Sequence, residues 1–315
     1  MFTRRFYRIK AFQQLYAYVQ EEQPNLSSHE KAMLKAIGKT HELYIYLLHL
    51  LPEFRHFIST ELELQKSKYI PSETNISQLE KLYKNKLLSG LENADALSAF
   101  AKHYKIHWNA NHDVFKQLWQ ITRNFEPFEK YAAIENPGFS DDKKFIIEWL
   151  QLIIIESELL NSYIEERYIS WEDDQTLVLS TLMKSIDKMK ELDPGKAIML
   201  ENDDDQKEAR QFMVDLFRKT ITENQQLEDL LADKVKNWDV DRIAVSDMLL
   251  MKMALCEILY FTSIPVKVSI NEYLEMAKLY STPQSHGFIN GILDKVQLDL
   301  RKQNKIQKAG RGLVE

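Results

Sequence analysis

Apolar residues recur at helical spacing almost throughout this chain, and the pattern predicts a succession of helices. The opening stretch RRFYRIKAFQQLYAYV places Ile9, Phe12, Leu15 or Tyr16, and Val19 on one stripe of an amphipathic helix over about residues 4–20. Residues 28–66 predict one or two helices, with Ser27 or Ser28 as N-cap. The apolar segment around Leu47, Leu48, Leu50 and Leu51 is followed by Pro52. A polar break near Ser67 to Ser77 contains Pro71, and further helices are expected at 77–105 and 111–134. Asn136, Pro137, Gly138 and Ser140 read as a loop. A second break runs from Asp193-Pro194-Gly195 to Asp203, Asp204 and Asp205, an acidic run suited to a solvated loop or a helix start.

The C-terminal third has the densest apolar pattern. WDVDRIAVSDMLLMKMALCEILYF is apolar on nearly every face, as a central buried helix would be. Asp247, Lys252 and Glu257 interrupt it, and each must lie at a bundle edge, meet a partner, or face another protein. After Ile264-Pro265 a helix with Ile270, Leu274 and Ala277 inward is expected. Ser285 can cap a last helix carrying Ile289, Ile292, Leu293 and Val296 on its core face. Gly291 within that helix costs about 1 kcal/mol against alanine, which either a close approach of backbone or ligand or imperfect packing would explain.

An internal echo accompanies the periodicity. Phe145, Ile154, Leu160, Trp171, Asp174, Val178 and Leu182 match Phe212, Ile221, Leu227, Trp238, Asp241, Val245 and Leu249 at a constant offset of 67 (238 − 171). A duplicated helical hairpin and chance similarity between two amphipathic hairpins both account for it.

Composition narrows the class. The 315 residues leave room for two domains, and only 8 glycines and 8 prolines argue for long helices with few tight turns. The single cysteine, Cys256, excludes an intramolecular disulfide and fits a reducing, cytoplasmic setting. No apolar run approaches the roughly 18 residues of a membrane span, and the N-terminus lacks the apolar core of a secretory signal. A transit peptide is disfavoured by Phe2, Phe6, Tyr7 and Phe12 and by the lack of serine at the start.

Against a net charge of −6, the chain opens with Arg4, Arg5, Arg8 and Lys10 and has no acid before Glu21. Binding of a polyanion must therefore be local. On a helical projection the arginines extend the apolar stripe, so this end of the helix is expected to overhang its packing partner. Arginines in a first turn face the positive end of the helix dipole. An anion bound there would reverse that cost, and nucleic-acid phosphate is the obvious candidate; a solubilising basic end is the plain alternative. Among eight histidines, His103 and His107 are one turn apart, but no third metal ligand is evident nearby. No phosphate-binding glycine loop or nucleophile motif is present, so no catalytic residue, metal or cofactor is expected.

Four blocks resemble the family of the transcription antitermination factor NusB. An RRxxRxxAxQxLY pattern appears as Arg4-Arg5, Arg8, Ala11, Gln13 and Leu15-Tyr16. A central pattern appears as Asp247, Met251-Lys252, Ala254 and Glu257-Ile258. IPxKVxINExxxxAK is present as Ile264-Pro265, Lys267-Val268, Ile270-Asn271-Glu272 and Ala277-Lys278. The block S-x-x-F-[VI]-N-G-[VI]-L-D-K is matched by Ser285 and by Phe288 through Lys295. The resemblance covers about residues 4–20 and 209–297, and it makes 24–206 look like an insertion between the first helix and a long helix at 207–232.

The resemblance implies an all-α fold of two packed helical bundles, with the N-terminal region at 1–232 enlarged, a C-terminal bundle at 233–300, and a basic flexible tail at 301–315. It implies a non-catalytic protein that binds boxA-type single-stranded RNA with the small-subunit ribosomal protein NusE, joining an RNA polymerase antitermination complex at ribosomal RNA operons. The implied RNA contacts are Arg4, Arg5, Arg8, Lys10 and Phe288. The implied partner contacts are Lys252, Glu257, Lys267, Ser285 and His286, with a homodimer as a further option. Three departures from the family pattern stand out: Phe6 and Ile9 replace a basic residue and a glutamate, Met251-Lys252 replaces Leu-Arg, and Thr282-Pro283-Gln284 replaces an acidic loop. Two other readings remain: a helical interaction scaffold without RNA binding, and a relative of the accessory domain of ribosomal RNA cytosine methyltransferases.

Overall fold

A computed structural model describes residues 3–108, 112–198, 203–235 and 243–310, with side chains omitted at 203–206. Among the described residues every regular element is helical, and no helix is long and apolar enough to cross a membrane. Two compact units emerge. One comprises residues 38–201; the other combines 2–37 with 202–315. This partition differs from the expected 1–232 and 233–300, because the first helix and the 203–235 segment pack with the C-terminal helices.

The discontinuous unit is built from α1 (Arg4–Gln20), the first turns of α2 (Leu26–Ser67), α11 (Asp203–Thr222), α12 (Asn224–Val235), α13 (Val245–Tyr260), α14 (Val266–Tyr280) and α15 (Ser285–Lys302). Helix α13 is buried continuously from Leu249 to Ile258. It packs against α1, α11, α12, α14 and α15, which explains an apolar sequence on all faces. Around it, α1 packs on α11, and α15 on α12 and α14.

The remainder of α2 belongs to the 38–201 unit, with α3 (Glu73–Tyr83), α4 (Lys86–Glu92), α5 (Asp95–His103), α6 (His112–Arg123), α7 (Glu126–Ala133), α8 (Phe139–Glu156), α9 (Glu158–Arg167) and α10 (Trp171–Lys188). Helix α2 continues through Pro52, because Leu50, Leu51, Phe54 and Ile58 are all buried around the proline. The helix expected over 77–105 is instead three. Asn85 starts α4 by accepting from Leu88 N–H at 3.0 Å, and its amide donates to Tyr131 Oη. The stretch 111–134 divides likewise, where Pro127 sits in the first turn of α7. In the core, Trp149 stacks on Phe54 and donates to Thr122 Oγ1 at 2.7 Å.

Several caps differ from expectation. Asn25, rather than Ser27 or Ser28, accepts from the Ser28 N–H at the start of α2. Ser285 does not cap α15; it is the first helical residue, and its hydroxyl lies 2.9 Å from that of Thr282. The expected tail at 301–315 is partly structured: α15 reaches Lys302, and Lys308 Nζ donates to the Phe261 carbonyl at 3.0 Å, at the C-terminal end of α13. In the echo, α8–α9–α10 and α11–α12–α13 are both a long, a short and a long helix, but Val178 is buried where Val245 is exposed. Trp171 and Asp174 open α10, with Asp174 accepting from Thr40 Oγ1 at 2.9 Å; Trp238 and Asp241 lie outside the described residues.

Candidate nucleic-acid interface

The basic start of α1 does not overhang. Every residue from Phe6 to Phe12 is buried, because α1 is wedged against α11 and α13. Only Arg4 and Arg5 remain accessible, and acidic side chains from distant segments hold both. Arg4 Nη2 donates to Glu208 Oε1 at 2.7 Å, between side chains 45% and 71% exposed. Arg5 makes a fork on Glu272, with Nε and Nη2 each donating at 2.9 Å. That hydrogen bond raises the Arg5 pKa despite partial burial.

Arg8 is a different kind of residue. It is 2% exposed and donates to the fully buried Glu257 through Nε at 2.8 Å and Nη2 at 2.7 Å. Burial pulls its pKa down, but the hydrogen bond and charge of Glu257 more than offset this, and the guanidinium stays charged. Glu257 also accepts from Ser269 Oγ at 2.7 Å and Tyr273 Oη at 3.1 Å. Burial, then the Glu257 charge, pushes Tyr273 well above its ordinary range. Four donors thus converge on one carboxylate, tying α1, α13 and α14 together.

This geometry corrects several expectations. Arg8 and Glu257 face each other inside the protein and are closed to RNA or a partner. Lys10 is buried, its ammonium 5.8 Å from the Phe6 ring centroid. Lys252 is also buried, donating to Asn224 Oδ1 and Glu228 Oε1 at 2.7 Å each, so its charge is matched internally. Asp247, another interruption of α13, accepts from Ser281 Oγ. Ser285 is buried, whereas Lys267 is exposed and His286 and Phe288 are half-buried.

The accessible groups of α1 and α14 form a mixed-charge surface. Glu275 pairs with Lys278 at 2.5 Å, and its pKa is lowered by that bond and, more weakly, by the charges of Arg5 and His286. Glu208, Glu272, Ser269 and Tyr273 were not singled out by sequence reasoning. Glu272 stood within the INE motif, but nothing in the local pattern indicates that it meets Arg5. Cys256 is fully buried, with its thiol pushed up to about 12 by burial, which leaves no thiolate nucleophile at neutral pH. Gly287 and Gly291, one turn apart on α15, have open space where a Cβ would stand, so packing does not demand either glycine. No group of three or more His, Cys, Asp or Glu among the described residues is placed to hold a metal.

Residues 173–298 match the family model described as the NusB family; the match begins in α10 and leaves α1 outside it. The transcription antitermination protein NusB of Salinibacter ruber is 40% identical over 111 residues, 35% of this chain and 69% of the relative. That of Chloroherpeton thalassium is 39% identical over 107 residues, 34% of this chain and 51% of the relative. That of Halalkalibacterium halodurans is 39% identical over 102 residues, 32% of this chain and 76% of the relative. No solved structure matches the chain.

Proposed function

This chain belongs to the NusB family, and on that premise we propose that it is a non-catalytic transcription antitermination factor that binds boxA-type single-stranded RNA together with the ribosomal protein NusE. The observation that carries the RNA reading is the state of Arg4 and Arg5. Both guanidinium groups are at the surface, and their partners Glu208 and Glu272 are carboxylates that a phosphate can replace. The exposed Arg4–Glu208 pair contributes only about 0–1 kcal/mol, so the exchange costs little there, while the half-buried Arg5 fork on Glu272 is held more firmly. Phe288, half-buried on α15, can add a stacking face for an unpaired base. Lys267 and His286 remain the partner contacts, while Arg8, Lys10, Lys252, Glu257 and Ser285 support the fold.

Such a site is small. Two guanidinium groups and one ring bind weakly, with a shallow log–log salt slope of about −1.4 for two phosphate contacts, which is why a second protein is needed to extend the surface. Titration of boxA-type RNA into the full chain, with and without NusE, tests the proposal. Arg4→Ala with Arg5→Ala should weaken binding and flatten its dependence on salt. Unchanged affinity and slope would favour the interaction-scaffold reading instead.

A further inference from the structure

The 38–201 unit carries a groove that the antitermination reading does not use. It encloses about 570 Å³, within the size range of specific binding sites. One wall is a single face of α2. His49, Glu53, His56, Thr60, Glu61 and Leu64 recur along it at helical spacing, over about 22 Å of helix axis. Leu97 of α5 and Phe115 of α6 stand among the opposing residues, together with Trp108, which precedes α6.

Its chemistry is one-sided. Glu53, Glu61 and Glu92 line the groove beside His49, His56 and His112, and among the described residues no lysine or arginine does. Arg55, whose partner is Glu92, is also committed to the Tyr83 carbonyl at 3.1 Å. Glu53 has no cationic partner at hydrogen-bond distance, since His49 Nδ1 lies 3.7 Å away. Burial raises the Glu53 carboxyl pKa, so a cation brought to it would gain from the low local polarity. Between the acids lie Phe57, Phe115 and Trp108, while Leu64 is 52% exposed on the groove wall. Two wall atoms, Trp108 Nε1 and His49 Nδ1, have no hydrogen-bond partner.

We propose that this groove receives a basic amphipathic helix of another protein, its apolar side chains against Leu64 and the accessible edge of Phe57 and its lysines or arginines toward Glu53 and Glu61. Charge complementarity selects the sign of the partner, and the helical run of the wall selects an elongated one over a compact small molecule.

The test uses the full chain and a fluorescein-labelled synthetic helix of leucine and lysine, about sixteen residues long to match the groove. A leucine–glutamate helix of equal length serves as the counterpart. Anisotropy should report micromolar binding of the basic peptide and none of the acidic one. Glu61→Lys and Leu64→Ser, both at accessible positions, should each weaken it about five- to tenfold. Glu165→Lys, the same charge change on an exposed position of α9 outside the groove lining, should leave affinity within twofold. Absence of basic-peptide binding overturns the proposal. So do equal losses in Glu61→Lys and Glu165→Lys, which would reveal general attraction to an acidic protein, and equal binding of the acidic helix. Unchanged helical circular dichroism in both groove variants separates lost binding from lost folding.

Discussion

The charge on Arg8 is predicted to hold the discontinuous unit together rather than to bind a ligand, and the structure sets the size of the effect. Arg8→Met removes two charge-assisted hydrogen bonds to Glu257 and a longer one to Glu272, and leaves the Glu257 carboxylate fully buried with only Ser269 and Tyr273 as side-chain donors. Breaking a buried pair from one side costs about 3–5 kcal/mol, because the surviving charge is stranded. Glu257→Leu leaves the guanidinium only its longer contact with Glu272, Nη1 to Oε2 at 3.5 Å, and should cost somewhat less. Arg8→Met with Glu257→Leu and Tyr273→Phe removes the charges and the main orphaned hydroxyl together. Ser269 can then turn back to a carbonyl of its own helix. The triple variant should therefore lie within about 2 kcal/mol of the parent. Four of the five tryptophans, Trp108, Trp119, Trp149 and Trp171, lie in the other unit, so fluorescence would report mainly on that unit. Amide hydrogen exchange of α13 and α14 is the suitable assay, and the single variants should speed it by about two to four orders of magnitude. Single-variant losses below about 1 kcal/mol, or a triple variant worse than either single change, would refute the account.

Three further outcomes are expected. Glu208→Gln frees Arg4 from an exposed pair worth about 0.2–1 kcal/mol, so RNA affinity should rise about 1.4- to 5-fold in a low-salt titration; no change would remove Arg4 from the interface. Gly287→Ala and Gly291→Ala should each raise stability by about 0.4–1 kcal/mol in thermal melts, since the new methyl group meets no atom; a loss would mean that this face of α15 is packed in solution. Burial pushes the Lys308 amine down to about 8. Between pH 8 and the ordinary lysine value near 10.5 the unfolded chain binds the extra proton, so this group makes stability rise with pH across that window; Lys308→Met should flatten the rise in pH-dependent urea melts.

Much of the helical architecture was legible because burial leaves a periodic trace. Helix α13 is apolar on all faces in the sequence and buried on all faces in the structure. The break at Asn136 to Ser140 leads into α8 at Phe139, as turn chemistry indicates. Periodicity reported less well where it carries through an interruption. It cannot distinguish one helix over 77–105 from three in series, because α3, α4 and α5 each bury apolar residues at helical spacing. The signals that divide them are single residues such as Asn85, whose capping role depends on a tyrosine 46 positions away. At Pro52 the pattern left one helix or two open, and Leu50, Leu51, Phe54 and Ile58, buried on both sides of it, carry α2 through as one.

The site was less legible than the fold for a more general reason. A helical projection shows which face carries charge but not what that face meets. Arg4, Arg5 and Arg8 are adjacent on α1, yet their carboxylates lie 204, 267 and 249 positions away, on three other helices. The arginines therefore share a composition and a motif while differing in chemistry: a weak exposed pair, a half-buried fork, and a fully desolvated bond. Burial decides among them, and burial is set by the packing of α1 on α11 and α13. The same logic applies to Lys252 and Glu257, whose charges within an apolar helix suggest either an internal partner or a protein surface. A desolvated charge demands a counter-charge wherever one can be supplied. The fold supplies Glu228 to one and Arg8 to the other, so under the proposed RNA reading the exposed Arg4 pair and, beside it, the half-buried Arg5 fork are the places on α1 where an incoming phosphate would compete.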